Sequence, residues 1–579
     1  MISYKRLLII TFLSVAAPVM LQAQDTTHKL IIYQLLPRLF GNKQTNNIHY
    51  GTIEQNGSGK FNDITVKALT GIRELGTTHV WYTGVIAHAS LTDYTAYGIP
   101  NADGDVVKGR AGSPYAIRDY YDVDPDLAVD VKHRMAEFEA LVKRTHQEGL
   151  KVIIDFVPNH VARKYQSNVK PSGVIDFGAK DNTALAFSAA NDYYYVPGQR
   201  FVVPATGTPK GPMADGTYQE FPAKATGNDV FSAAPSKDDW YETVKLNYGV
   251  DYQNGRKGHF SPVPQLWIKM RDILVYWSKK GVDGFRCDMA EMVPVEFWSW
   301  VIPEVKKAKP GIVFIGEAYD PKTYTTYLTT GKFDYLYDKV GLYDGLKKLM
   351  RNEQSATVAD IDHVWQKESA GFGDHMLRFL ENHDEERIAS KTFAGDPFMA
   401  LPAMTVSATL SGGPVMVYFG QEVGEPANGA EGFGGEDSRT TIFDYWGVPE
   451  HQKWMNKGAF DGVGLSVAQL RLRSFYQRLL TVSGTSEAII RGAFYHLPFA
   501  DHPKIYAFFR YTANQRLLVL VNFDERDSIR QDITIPESVL QQHQISSAKE
   551  LLSETPIKHN TPGSVHVELM PGAVQIIAF

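Results

Sequence analysis

Cysteine is nearly missing: Cys287 is the single thiol in 579 residues. An intrachain disulfide is therefore excluded, and so are the cysteine-based zinc patterns. Basic charge is not in excess either. The chain has 59 Lys and Arg against 65 Asp and Glu, a formal net charge of −6, and an isoelectric point near 6.3. A nucleic-acid binder would carry a basic footprint, so nucleic acid is not an expected partner. With 44% hydrophobic and 21% charged residues, wholesale disorder, collagen-like and coiled-coil classes are out. Tandem repeats and low-complexity tracts are missing as well.

Long apolar runs are confined to the N-terminus. Lys5 and Arg6 precede an apolar stretch over residues 7–21, shorter than the roughly 20 residues of a membrane span. Leu21-Gln22-Ala23 follows as a cleavage site. Residues 1–23 thus read as a signal peptide, with an uncleaved anchor as the alternative. The expected mature chain starts near Gln24, has no membrane span and is secreted or periplasmic.

The length allows several domains, and one pattern organises most of it. A helical stretch ends on Gly, and a β-branched strand follows: Gly76 before residues 78–82, Gly149 before 151–155, Gly281 before 282–286, Gly311 before 312–317. Glycine ends helices because it accepts the left-handed conformation. Val131, Met135, Phe138 and Val142 share one face of a helix expected over residues 130–147. Apolar strands alternating with amphipathic helices mean a parallel sheet covered by helices. Strand candidates at 30–36, 334–337, 376–380 and 414–419 bring the count to eight, which favours an α/β fold of the (β/α)8 TIM-barrel type.

The third strand is followed by a long stretch rich in Pro, Gly, Asn, Asp and Tyr, read as an inserted domain B. Beyond about residue 484, short alternating strands at 504–511, 516–522, 564–568 and 573–579 read as an all-β sandwich. The expected domains are 24–160 and 260–484 for the split barrel, 161–259 for the insertion and 485–579 for the C-terminal sandwich.

Catalytic groups of a TIM barrel sit at the C-terminal ends of its strands. Four such ends carry ionisable residues: Asp155-Phe156-Val157-Pro158-Asn159-His160, Arg286-Cys287-Asp288, Gly316-Glu317-Ala318 and Glu381-Asn382-His383-Asp384. Residues two apart on a strand share a face. Arg286 therefore points with Asp288, while Phe285, Cys287 and Met289 point the other way, and Cys287 is packing. A guanidinium beside a carboxylate favours its ionised form, which suits Asp288 as a nucleophile. Retaining glycoside cleavage needs two carboxyl groups about 5–5.5 Å apart, and Asp288 and Glu317 lie on adjacent strand ends. The apolar Phe314-Ile315 approach predicts an apolar setting for Glu317 that favours a proton donor.

These four stretches, in this order, resemble the signature regions of the alpha-amylase superfamily, glycoside hydrolase family 13. The resemblance runs from about Leu30 to the end of the chain. It implies Asp288 as nucleophile, Glu317 as general acid/base and Asp384 as the third carboxylate, gripping sugar hydroxyls. It implies that Arg286 orients the nucleophile, that His160 and His383 bond the sugar, and that Tyr115 is its aromatic platform. Asp155 and Asn159 resemble a structural pair, with Asn159 beside a calcium ion. Residues 411–414 and 418–422 are similar to the family's eighth strand.

Departures are present too. Glu291 and Met292 stand where many alpha-amylases have Lys-His. The stretch Gln55-Asn56-Gly57-Ser58-Gly59-Lys60 lacks the acids of a calcium loop. Asn101, Asp103 and Asp105 offer oxygen ligands that suit Ca²⁺, with a solvated turn as the alternative. The glycine-rich stretch 432–435 has no helix after it, so a phosphate role is not expected.

The expected function is a retaining α-glucoside hydrolase acting on starch-type α-glucans or maltooligosaccharides, with Ca²⁺ as the candidate cofactor and no redox cofactor. The alternatives are a glucanotransferase or a cyclodextrin/pullulan-type hydrolase on the same scaffold and, more remotely, a non-catalytic glucan-binding protein.

Overall fold

The structure is a computed structural model that describes residues 29–204, 213–429, 436–560 and 563–579. The expected signal peptide and the glycine-rich stretch 432–435 lie outside the described residues.

Eight parallel strands form the centre: β1 (Ile31–Leu35), β2 (His79–Tyr82), β3 (Lys151–Phe156), β4 (Gly284–Cys287), β5 (Val313–Gly316), β6 (Tyr335–Tyr337), β7 (Met376–Leu377) and β8 (Val415–Tyr418). Each pairs with its neighbour in chain order, and β1 pairs with β8. A parallel bridge from Arg378 to Val415 joins the β7 end to β8 and closes the barrel. β1, β4, β5 and β8 are buried throughout, which is why they read as near-continuous apolar runs.

The glycines expected to end helices all have positive φ, from 78° at Gly149 to 99° at Gly281. Two expected elements are shorter than the sequence implied. The helix before β3 starts at Arg134, not near Asp130, because the Asp130 carboxylate accepts from the Lys132 N–H and caps a separate 3-10 turn. β7 ends at Leu377, where Arg378 turns to bond β8.

The segment between β3 and the helix Gln265–Lys279 contains only short strand pairs among its described residues. One of them, His160–Ala162 against Thr243–Lys245, sets His160 opposite Lys245 and anchors the insertion beside the barrel mouth. A hairpin of Ile86–His88 and Ile117–Val123 follows β2; no sequence signal gave it away.

The C-terminal region is a five-stranded and a three-stranded antiparallel sheet. Alternation along Ile505–Tyr511 explains their packing. Ile505, Ala507 and Phe509 face Val565 and Val567 of the other sheet, while Tyr506 and Phe508 join the core of the barrel. The region also holds the short helices Glu487–Arg491 and Glu537–Leu540, which the alternating pattern did not predict.

Candidate active site

β4 and β5 run in register, Arg286 beside Ile315 and Cys287 beside Gly316. The next residue on each strand, Asp288 and Glu317, therefore emerges at the same level of the mouth. Neighbouring strands lie about 4.7–4.9 Å apart, near the spacing of about 5–5.5 Å that a retaining pair requires.

Arg286 holds both acids. Its Nη1 lies 2.8 Å from Asp288 Oδ1 and 3.4 Å from Asp155 Oδ1, and its Nη2 lies 2.6 Å from Glu317 Oε1. Its Nε donates to the Tyr337 hydroxyl at 3.1 Å. The planar guanidinium fork fixes these positions more tightly than a lysine would. Asp288 Oδ2 is buried and has no hydrogen-bond partner among the described residues. One oxygen of Asp288 is thus held by Arg286, and the other is uncommitted.

Sequence and structure differ on the setting of these acids. Burial, the largest cause, raises the Asp288 carboxyl well above its ordinary value. The charges of Glu317, Asp384 and Asp155 add to it, and Arg286 opposes them. The favourable effect expected from Arg286 is real but outweighed. For Glu317, the expected apolar surroundings are replaced by donors: the Tyr319 hydroxyl at 2.6 Å and the Met289 N–H at 2.7 Å, besides Arg286. Strand alternation also stops at Asp288, because Met289 adopts φ 43° and turns its N–H to Glu317.

Asp384 sits in the loop after β7, where Asn382 Oδ1 accepts from the N–H of Asp384 and of Glu385. Its side chain keeps 35% of its surface exposed and bonds His383 Nε2 at 2.9 Å. Burial pushes its carboxyl up, but His383, Arg286 and Arg439 together hold it below the ordinary value.

The ring of Tyr115 stacks on His383 at 5.1 Å. Its hydroxyl bonds His383 Nε2 at 2.5 Å and Asp155 Oδ1 at 3.2 Å. Gln34 Nε2 fixes His383 from behind through Nδ1. Asp155 also accepts from Trp81 Nε1 and the Gly84 N–H. The structure thus brings Tyr115, Asp155, Arg286, Asp288, Glu317, His383 and Asp384 into one connected network.

His160 stands beside that network, between Asn159 and the ring of Trp240. Burial, with the charges of Lys245 and Lys108, pushes its pKa down to about 3. The imidazole should therefore stay neutral, and its NMR signals should not titrate between pH 8 and 5. A midpoint near 6.5 would show that the ring is hydrated. The linkage has a definite sign: a depressed histidine pKa gives stability that is complete above the unfolded value of 6.5. That stability is lost as the pH falls towards 3, at up to about 1.4 kcal/mol per pH unit for one proton.

The four candidate metal ligands fall in two places. Asp103 and Asp105 gather with Asp215, one carboxylate oxygen of each lying within 4.8 Å of the others. The two oxygens of Asp105 accept from the N–H groups of Gly216 and Tyr218. Asn101 lines the same cavity as Asp103. Asn159 lies elsewhere, and its Oδ1 accepts from the Lys245 ammonium. A buried ammonium against the ligand oxygen does not fit a calcium ion at Asn159. Calcium needs 6–8 oxygens at 2.3–2.6 Å.

Sequence reasoning missed Tyr319, Tyr337, Gln34 and Lys245. Only Tyr319 had a signal, lying two residues beyond Glu317.

Comparison with known proteins bears on the family. The model of the alpha amylase catalytic domain matches residues 34–439. Alpha-amylase 3 of Dictyoglomus thermophilum is 22% identical, over 71% of this chain and 74% of its own length. The oligo-1,6-glucosidase of Parageobacillus thermoglucosidasius is 21% identical, over 90% of this chain and 93% of its own. Among solved structures, the alpha-amylase of Geobacillus thermoleovorans complexed with acarbose superposes with a TM-score of 0.60 at 20% identity, over 95% of this chain and 98% of that one. The match runs from β1 past the loop that carries Asp384, and on it this chain belongs to the alpha-amylase family and is a glycoside hydrolase.

Proposed function

We propose that this glycoside hydrolase is an exported, retaining enzyme of starch-type α-glucans or maltooligosaccharides. The single observation that carries the chemistry is Arg286 gripping Asp288 and Glu317 at once while Asp288 Oδ2 stays uncommitted. In this reading Glu317 gives its proton to the leaving glycosidic oxygen as Asp288 Oδ2 bonds the anomeric carbon. Glu317 then takes a proton from water, which attacks the same carbon and releases Asp288. Tyr115 and His383 form the floor, and Asp384, open to the mouth, accepts from sugar hydroxyls. Export rests on the basic, apolar and small-residue pattern of residues 1–23.

Two displacements leave the anomeric configuration unchanged. Proton NMR of maltooligosaccharide cleavage should therefore show the α-anomer of the new reducing end before mutarotation. The β-anomer appearing first would overturn the reading. The same experiment with added maltose shows whether water or a sugar hydroxyl takes the intermediate. Longer products in high yield would make the enzyme a glucanotransferase.

A further inference from the structure

Lys245 is a buried cation that the chemistry at the mouth does not use. It is 1% exposed, on a strand of the inserted segment. Its ammonium lies against three oxygens from three parts of the chain. Asn159 Oδ1, from the loop after β3, accepts a hydrogen bond from it. The main-chain oxygen of Met292, from the loop after β4, accepts another at 3.2 Å. Asp229 Oδ1, from within the insertion, pairs with it at 2.6 Å. The ring of Tyr252 lies 5.3 Å away.

The chemistry of this cluster is that of a cation site. An ammonium has three N–H donors, and here it meets three oxygens. One of the three is charged and two are neutral, which balances a monovalent cation with no further ligand. Asp229 takes φ 67°, a left-handed conformation that few non-glycine residues adopt, to present its carboxylate. Met292 is four residues beyond Asp288, so the cation ties the insertion to the loop that carries Asp288. The ammonium fills the place that a bridging metal would need.

We propose that Lys245 is the resident cation of this junction, a built-in ammonium that locks the inserted segment to the barrel mouth without a metal ion. The junction then holds in chelator. Replacing the lysine by a small neutral residue opens an oxygen-lined space that calcium can enter with water completing its 6–8 oxygens.

The test uses the full chain in an Asp103→Asn, Asp215→Asn background, so that the separate acidic cluster does not report. In that background the melting midpoint should be the same in EDTA and in millimolar calcium, and calorimetry should show no calcium bound. Adding Lys245→Ala should lower the midpoint by several degrees in EDTA. Calcium should restore part of the loss, with one ion bound per chain. Asp229→Asn, a milder change that keeps the lysine, should lower the midpoint and give no calcium response. The proposal fails if the chain with Lys245 intact binds calcium and loses stability in EDTA. It fails equally if Lys245→Ala folds with an unchanged midpoint, or if Asp229→Asn leaves the midpoint unmoved. Should Lys245→Ala not fold in EDTA, refolding in calcium supports the proposal; should it fold in neither, the Asp229→Asn midpoint decides it alone.

Discussion

Asp288→Asn should reduce turnover on maltooligosaccharides by on the order of 10⁴-fold or more, while the fold melts no earlier than before. An oriented nucleophile is worth an effective molarity of about 10⁵–10⁸ M. An amide keeps the shape and the contact to Arg286 but does not attack the anomeric carbon. A loss of that size is about 5 kcal/mol in the barrel's transition-state binding. The stability half of the expectation comes from the same carboxylate. Burial and the neighbouring acids raise the Asp288 carboxyl. A raised carboxyl contributes stability that is fully present below its unfolded value, ordinarily 3.8, and is lost as the pH rises through the folded value. At neutral pH the charged form works against the fold, so an uncharged isostere relieves it. Activity near the parent level would remove Asp288 from the nucleophile's role. A large fall in melting midpoint would mean that its bond to Arg286 is chiefly structural. If the midpoint instead holds or rises, the site is a place where function costs stability, as active sites often are.

The barrel was legible because its strands are buried on both faces. Val152-Ile153-Ile154 and Val313-Phe314-Ile315 are unbroken apolar runs, and each follows a glycine that must end a helix. Strand ends were legible for the same reason, since polar residues appear where burial stops. Less could be read where the determinants lie across the chain. Glu317 follows apolar residues in sequence, yet Arg286, Met289 and Tyr319 surround its carboxyl. Arg286 and Met289 come from the neighbouring strand and its end, so the residues preceding Glu317 in the chain do not set its environment. The hairpin carrying Tyr115 was hidden because Ile117–Val123 reads as IRDYYDV, three of its seven residues charged, yet it is buried throughout. Its acids are held by specific partners, Asp122 by Arg134 at 2.5 Å and Asp119 by the Ser167 hydroxyl at 2.6 Å. Lys245 was invisible for a related reason. A lysine in a three-residue strand looks solvated until Asn159, Asp229 and Met292 are seen to converge on it.

Glu317→Gln should separate the two roles that one acid would perform. Cleavage between sugars needs a proton on the leaving oxygen, and general acid catalysis is worth about 10²–10⁴-fold. Turnover of maltooligosaccharides should fall by roughly 10³-fold. An α-glucosyl fluoride needs no proton to depart, so its first step should proceed near the parent rate. The covalent intermediate should then accumulate, because no base activates water for the second step. Mass spectrometry of the quenched protein should find the added sugar on Asp288, and azide, a nucleophile that needs no base, should restore release as a glycosyl azide. The surroundings of Glu317 make this a clean substitution. A glutamine keeps one oxygen, which still accepts from the Met289 N–H, held now at 2.7 Å, so the backbone turn that follows Asp288 stays in place. The contacts of the other oxygen, to Arg286 and to the Tyr319 hydroxyl, are the part that changes, and they bear on the outcome. If the fluoride and the oligosaccharide lose rate equally, Glu317 serves to position Arg286 and Asp288 and is not the proton donor. A different carboxylate at the mouth, with Asp384 the exposed candidate, would then have to supply the proton.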